Sequence, residues 1–290
     1  HNIDVNFEAY KFDLSNMSLA NLPNTGKNYI YMNDLHDNPN MGIRMAGDVV
    51  AQGEKGGKLT NYTCNCFAKE VNILIDHNIT TDKGHFSNEV VILETKKKTP
   101  LQSTFIIKNN GVASTATYQN LNDPIVLKKE DFLDANKGSS NLEILYNIQK
   151  NYHEATNPIK IDFIALDANA TDAISSVNNQ DSTAQGTQPF NSTKYVYFTR
   201  IAPDKEVYDI SYEKSVSTPV TIELFCEQNH TWCPEMLQSN GLNNNNSQIG
   251  WYTAQNHNLS TEGTINSFNP NNAQIKVTDV GNSTSVSYTH

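Results

Sequence analysis

Charge is scarce in this chain, and so are cysteine, tryptophan and long apolar runs. Only 18% of the 290 residues are charged, where a soluble domain usually carries about a quarter. The balance is acidic, with a net charge of −10. The basic footprint of a nucleic-acid-binding surface is therefore missing, and so is a polybasic membrane anchor. The longest apolar pieces are of the size of Ile159 to Leu166, far short of the roughly 20 residues that cross a bilayer as a helix. Membrane insertion is not expected. No G-x-S-x-G, H-E-x-x-H or P-loop pattern occurs, so the chain is not expected to be an enzyme. It begins at His1 rather than Met, which fits a processed mature form or a piece of something longer.

The four cysteines are patterned. Cys64 and Cys66 are one residue apart, Cys226 and Cys233 six apart. Four cysteines allow three pairings. A Cys226–Cys233 bridge would close a small loop, Glu227 to Trp232, at the end of a strand. A Cys64–Cys66 bridge is strained if the two lie on a strand, because alternate residues then point the same way with poor bridging geometry. The remaining option ties the first pair across to the second. The spacings do not suit zinc, and disulfides imply an oxidising compartment. The expected location is extracellular or at the cell surface.

Abundance lies elsewhere. There are about 40 asparagines, set among short runs of Val, Ile, Tyr, Phe and Thr. Asparagine favours turns and tolerates left-handed backbone, while branched and aromatic residues favour strands. Alternation with period two is clear at Ile3, Val5 and Phe7; at Val71, Ile73 and Ile75; and at Leu142, Ile144, Tyr146 and Ile148. It recurs at Ile159, Ile161, Phe163 and Ala165, and at Val220, Ile222, Leu224 and Cys226. Ile275 and Val277 precede a Gly281-Asn282 turn, and Val286 and Tyr288 follow it. Each run has one apolar face, as in half-buried antiparallel sheets. Gly53 to Gly57 reads as a hairpin between Val49–Ala51 and Leu59–Tyr62. Pro158 precedes a strand at Ile159, and Pro219 one at Val220. Helical signal is confined to a turn or two within Lys128 to Asn136 and to the CPEMLQ segment from Cys233.

The pattern predicts an all-β chain: two immunoglobulin-like, or related, antiparallel β-sandwich domains. The stretch 167–190 is almost wholly Ala, Ser, Thr, Asn, Gln, Asp and Gly, and reads as a polar linker or long surface loop. It places an N-terminal sandwich at 1–166 and a C-terminal one at 191–290.

Four stretches share a further pattern. Leu59 to Ile75 (LTNYTCNCFAKEVNILI) follows a Gly-containing hairpin. Leu142 to Phe163 carries Asn-Pro before a strand. Tyr195 to Cys233 contains YVYFTRIAPDK and STPVTIELFCEQNHTWC. Trp251 to His257 reads WYTAQNH. Together, over about two thirds of the chain and in this order, they resemble a recurrent pattern in very large surface proteins of epsilon-class proteobacteria. The first matches a segment of the form L-T-N-[FY]-T-x-x-C-[FY]-A-K-[DE]-V, from which Cys64 departs. The resemblance implies an extracellular, repetitive, β-rich protein and supplies no catalytic residues.

Ligand readings are sparse. Asp167, Asn169 and Asp172 place oxygens near the spacing of a calcium loop, without its Gly or distal Glu. Asn33 to Asn38 is a second oxygen-rich turn. Calcium aside, no cofactor is expected. Trp232, Trp251 and Tyr252 are candidates for a platform that stacks on a sugar; packing against a disulfide or a sandwich edge is the competing reading. Glu227 and Glu235 flank the Cys226–Cys233 loop, an arrangement that ordinary solvated carboxylates also produce. His77 and five other interior histidines read as scattered in polar surroundings, without metal spacing.

The function these features predict is structural: a subunit or repeat of an extracellular fibre or large adhesin. Its partners would be copies of itself or tandem neighbouring domains. The strand-like ends, Ile3 to Phe12 and Thr284 to Tyr288, are candidates for strand exchange between copies. The alternative is a carbohydrate- or protein-binding adhesin module.

Overall fold

The computed structural model describes residues 8–22, 28–33, 35, 41–80, 87–94, 99–101, 106–108, 125–150, 155–170, 184–203, 215–227, 243–244, 250–253, 274–280 and 283–289. In chain order the strands are β1 (Lys11–Leu22), β2 (Tyr29–Tyr31), β3 (Gly42–Gln52), β4 (Val71–Thr80), β5 (Ser87–Glu94), β6 (Thr99–Leu101), β7 (Ile106–Lys108), β8 (Ile125–Leu127) and β9 (Ser139–Ile148). There follow β10 (Ile159–Ala170), β11 (Gln185–Tyr197), β12 (Thr199–Pro203), β13 (Ser215–Phe225), β14 (Asn243–Asn244), β15 (Trp251–Thr253), β16 (Gln274–Val280) and β17 (Ser283–Thr289). The only helical turns among the described residues are 3-10 turns at Lys129–Asp131 and Asp134–Asn136. The chain is all-β, as its alternation predicts.

β1 to β11 form one sheet in the order β6-β5-β9-β3-β1-β11-β10-β4-β8, with β2 also on β11 and β7 on β5. This sheet is curled. In a flat sheet β9 and β4 would stand roughly 24 Å apart, five strand spacings. Yet the Tyr146 hydroxyl of β9 lies 2.9 Å from His77 Nε2 of β4. The two ends of the sheet therefore face each other across a single core. Into it β4 sends Val71, Ile73, Ile75, His77 and Ile79, all fully buried. From the facing side come Ile43 and Met45 of β3 and Leu142, Ile144, Tyr146 and Ile148 of β9.

The curl turns at a corner. β1 pairs antiparallel with β3, but it meets β11 in parallel at Lys11↔Gln185. Gly186 allows that approach, because a Cβ there would collide with the Phe12 carbonyl. β2 also pairs in parallel with β11, Tyr29 to Tyr31 against Tyr195 to Tyr197. Neither parallel contact follows from period-two reading.

β12 to β17 form a second sheet, ordered β14-β15-β13-β17-β16 with β12 on β13. The β16–β17 hairpin pairs Ile275 with Tyr288 and Val277 with Val286, as expected around positions 281–282.

Several expectations change. The polar stretch 167–190 is not the join between the sheets. Asp167 to Asn169 pair with Thr187 to Gln185 within the first sheet, and Ala170 N–H donates to the Ala184 carbonyl. The chain leaves β11 at Tyr197 and enters β12 at Thr199, so a single residue, Phe198, connects the sheets. Pro219 lies inside β13 rather than at its start, opposite Ser285 of β17. Lys58 makes an isolated bridge to Gln52, and Leu59 to Tyr62 form a turn instead of a full return strand. The segments 3–7, 36–38 and 233–238 lie outside the described residues.

Asparagine does more than supply loops. Asn16 (φ 55°) and Asn191 (φ 47°) sit at the register shifts of β1–β3 and β10–β11, where a bulge needs left-handed backbone. Asn147 is fully buried. Its amide donates to the Tyr31 and Met41 carbonyls at 3.1 and 2.9 Å, and its oxygen accepts from Ile148 N–H at 2.7 Å. It ties the end of β2 and the residue before β3 to β9 through side-chain hydrogen bonds.

Candidate functional site

The densest meeting of unusual side chains is the junction around Phe198. Phe198 is buried, and its carbonyl accepts from Phe225 N–H at 2.9 Å. The Cys226 N–H donates to the Gly250 carbonyl at 2.7 Å, so the end of β13 and the start of β15 are locked together. Gly250 has φ +85°, and a Cβ there would press on the Phe225 ring. Trp251, half-buried, packs on Phe225 at 5.2 Å and Phe198 at 6.2 Å between ring centroids.

Charge is concentrated at the same place. The Arg200 guanidinium lies 3.8 Å from the Trp251 ring centroid, and its Nε is 2.7 Å from a Glu223 carboxylate oxygen. The Glu223 side chain is only 4% exposed. Burial of such a carboxylate is tolerated when a charged donor meets it. Lys150, just past β9, donates to the Thr199 carbonyl and lies 4.7 Å over the Phe198 ring. Its pKa is held below the ordinary lysine value by burial. Asn157, just before β10, donates to the Glu227 carboxylate at 3.1 Å and accepts Glu227 N–H at 2.8 Å. A second cluster, Tyr29, Tyr31, Tyr197, Leu224 and Cys226, carries apolar contact from the first sheet onto β13.

This junction brings Trp251 and Cys226 together. The expected sugar platform takes another form there: one face of the Trp251 ring carries the Arg200 guanidinium, and the ring edges meet phenylalanines. Trp232 lies outside the described residues, as does the Tyr252 side chain. The junction residues that sequence reasoning missed are Lys150, Asn157, Arg200 and Glu223. Glu223 sits on the polar side of its strand's alternation, and only the cross-strand pairing with Arg200 of β12 reveals that this side holds a buried charge.

Of the calcium candidates, Asp167 and Asn169 lie in extended β10, where Asp167 accepts from the Thr187 hydroxyl at 2.6 Å. An extended strand cannot wrap oxygens around an ion as a loop does. Asp172 lies outside the described residues. Among the described residues no group of three or more His, Cys, Asp or Glu side chains is placed to hold a metal.

His77 is the clearest reversal. It is fully buried, its ring stacked 5.9 Å from Phe163 and edge-on to Tyr146 at 5.1 Å. Nδ1 lies 3.1 Å from the Ile75 carbonyl, so Nδ1–H donates there and Nε2 accepts the Tyr146 hydroxyl proton. Burial pushes its pKa down to about 4. The pair is sealed in the core, beyond the reach of a substrate.

Among the cysteines, Cys64 and Cys66 are free thiols, the first half-buried and the second exposed. Neither lies on a strand. Cys66 N–H donates to the Thr63 carbonyl at 3.0 Å, closing a turn, and Cys64 N–H donates to the Phe132 carbonyl at 2.8 Å. The bridges considered for this pair are thus not formed here, and the strand geometry invoked against one does not apply. Cys226 is buried; position 233 lies outside the described residues. Glu227 is engaged with Asn157, and Glu235 lies outside the described residues.

No family model, curated protein or solved structure matches the chain.

Proposed function

We infer that the chain is a structural module of an extracellular fibre or large adhesin, built as two sandwich-related β units held in fixed relation. The single observation that carries this reading is the junction. One connecting residue, the Lys150 contacts to Thr199 and Phe198, the cluster of Tyr29, Tyr31 and Tyr197 with Leu224 and Cys226, and a reciprocal Asn157–Glu227 hydrogen bond tie the sheets together. A junction made for catalytic closure keeps polar groups poised and unspent; this one consumes them in holding two units still, as a spacer under tension requires. A Cys226–Cys233 bridge, closing the loop beyond β13, belongs to the same reading and places the chain in an oxidising compartment. Its partners are copies of itself or tandem neighbouring domains.

Exchange of the terminal strands is the less favoured route of assembly. Of the run Ile3 to Phe12 only Lys11 and Phe12 fall in β1, which lies between β3 and β11; β17, which holds Thr284 to Tyr288, lies between β13 and β16, all within one chain. Exchange would have to replace each of these pairings one for one.

The test is small-angle scattering and electron microscopy of the purified protein. A single rigid particle, or filaments of regular repeat, is expected. Two units tumbling independently would overturn the reading. So would glycan binding that disappears in Trp251→Ala while the particle keeps its shape.

A further inference from the structure

We propose that the turn Cys64-Asn65-Cys66 is a thiol–disulfide exchange site, with Cys66 as the attacking thiol and Cys64 as the resolving one. The inference goes beyond the structural reading above and does not depend on it.

Three observations carry it. First, both thiols are free, and they differ in access: Cys66 is exposed and Cys64 half-buried. Second, they occupy the second and fourth positions of the turn that Cys66 N–H closes on the Thr63 carbonyl. Cα atoms so placed are about 5.5 Å apart, inside the range of about 4.4–6.8 Å that a disulfide spans. The Cα separation of this turn therefore admits the bridge. Third, the turn is anchored on both sides. Tyr62, fully buried, meets Phe67, Phe132 and Phe12 edge-on at 5.4, 5.0 and 5.9 Å. Asn65 donates to the Asp134 carboxylate, and that carboxyl is held below the usual range by hydrogen bonds from Thr63 and Asn65. Gly138 backs against Leu59 so closely that a Cβ would collide with its carbonyl. The dithiol thus stands on a fixed platform.

A metal role is not favoured. The described residues place no third His, Cys, Asp or Glu ligand beside the two sulfurs, and zinc takes four. Exchange needs only two sulfurs. The Cys66 thiolate attacks one sulfur of a small-molecule disulfide, forming a mixed disulfide and expelling one thiolate. The Cys64 thiolate then attacks the Cys66 sulfur, closing the Cys64–Cys66 bond and expelling the second thiolate. The two protons lost by the cysteines end on the two released thiols. The protein dithiol is oxidised and one disulfide is reduced to two thiols.

The co-reactant for the test is oxidised glutathione. The protein is incubated with it, quenched with an alkylating reagent and cut with trypsin, which releases Leu59 to Lys69 as one peptide. In the wild type that peptide should lose both alkylation tags and carry no glutathione. Cys64→Ser should trap a lasting glutathione adduct on Cys66. Cys66→Ser should react at least tenfold more slowly than Cys64→Ser, because Cys64 is half-buried. A wild-type peptide that accumulates glutathione without bridging overturns the proposal, as does a disulfide-linked dimer through Cys66. Equal rates in the two variants overturn the assignment of roles.

Discussion

The core of the first sheet and the junction at Phe198 are both rich in rings and both contain buried polar groups, yet they are built on opposite terms. In the core, His77 and Tyr146 are neutral; they share one hydrogen bond, and His77 makes a second to the Ile75 carbonyl, inside an apolar shell. At the junction the polar groups are charged, with Arg200 spent on both the Glu223 carboxylate and the Trp251 face. A neutral pair costs little to bury once its hydrogen bonds are made. A charged pair is repaid only when its geometry is good. The core should therefore set overall stability, and the junction should set whether the sheets unfold together.

The largest expected effect lies in the core. Phe163 stands against both His77 and Tyr146, so Phe163→Ala removes a ring from the centre of the curl and should cost about 4 kcal/mol. Chemical denaturation checks it; a loss below about 1 kcal/mol would mean that the curled sheet relaxes around the gap.

The next effect is a pH dependence. Unfolded, His77 takes up a proton near 6.5; folded, near 4. Below pH 6.5 the unfolded chain is therefore protonated first. Stability from this residue is constant above pH 6.5, falls as pH drops from 6.5 to 4, and changes no further below that. The full loss is about 3 kcal/mol. The double variant His77→Phe, Tyr146→Phe removes both polar partners at once, and its stability should lack this slope. An unchanged slope would assign the effect to other groups.

How much of this was legible beforehand depends on where a side chain's partners lie. Val71, Ile73 and Ile75 announced their strand, and the same parity continues to His77. Residue type led to a surface histidine, whereas position led to the core. The run at Ile159 keeps its parity only to the register shift after Phe163, where Ile164 becomes exposed and Leu166 takes the inward face. One extra residue reverses which side is apolar. Residues 185–190 read as loop because polar residues fill both of their faces, although they pair with β10. Leu145 and Asn147 are buried on the outer side of β9, because Leu35, Val91 and Leu93 cover it. None of these covers can be read from local alternation. Cys226 and Trp251 stand out in the sequence one by one, but their meeting, and the charges of Arg200 and Lys150 beside them, are marked by no motif.

The junction prediction is smaller than the core ones and of a different kind. Arg200→Ala takes the guanidinium away from both Glu223 and Trp251 and should cost about 2 kcal/mol. Arg200, Glu223 and Trp251 all belong to the second sheet, so the loss should fall on that sheet alone and change the form of the transition. The wild type should unfold in one step by tryptophan fluorescence and circular dichroism, while the variant should show two. A variant that still unfolds in one step would mean that apolar contact through Tyr197 and Leu224 suffices to couple the sheets.

The smallest expected effect isolates burial as the cause. Arg44 and Glu143, on the first sheet, form an ion pair with the same 2.7 Å separation as Arg200 and Glu223. The Glu143 hydrogen bond raises the Arg44 pKa, but the two side chains are 40% and 38% exposed. Water screens such a pair, and the ordering of two long side chains offsets most of the attraction. Arg44→Ala should therefore cost about 0.5 kcal/mol or less, measured against Glu143→Ala and the double variant in one thermodynamic cycle. The coupling should fade in molar salt, whereas that between Arg200 and Glu223 should persist, because the Glu223 carboxylate is closed off from solvent. Equal coupling at both sites would break the comparison, since distance alone would then decide the strength of each pair.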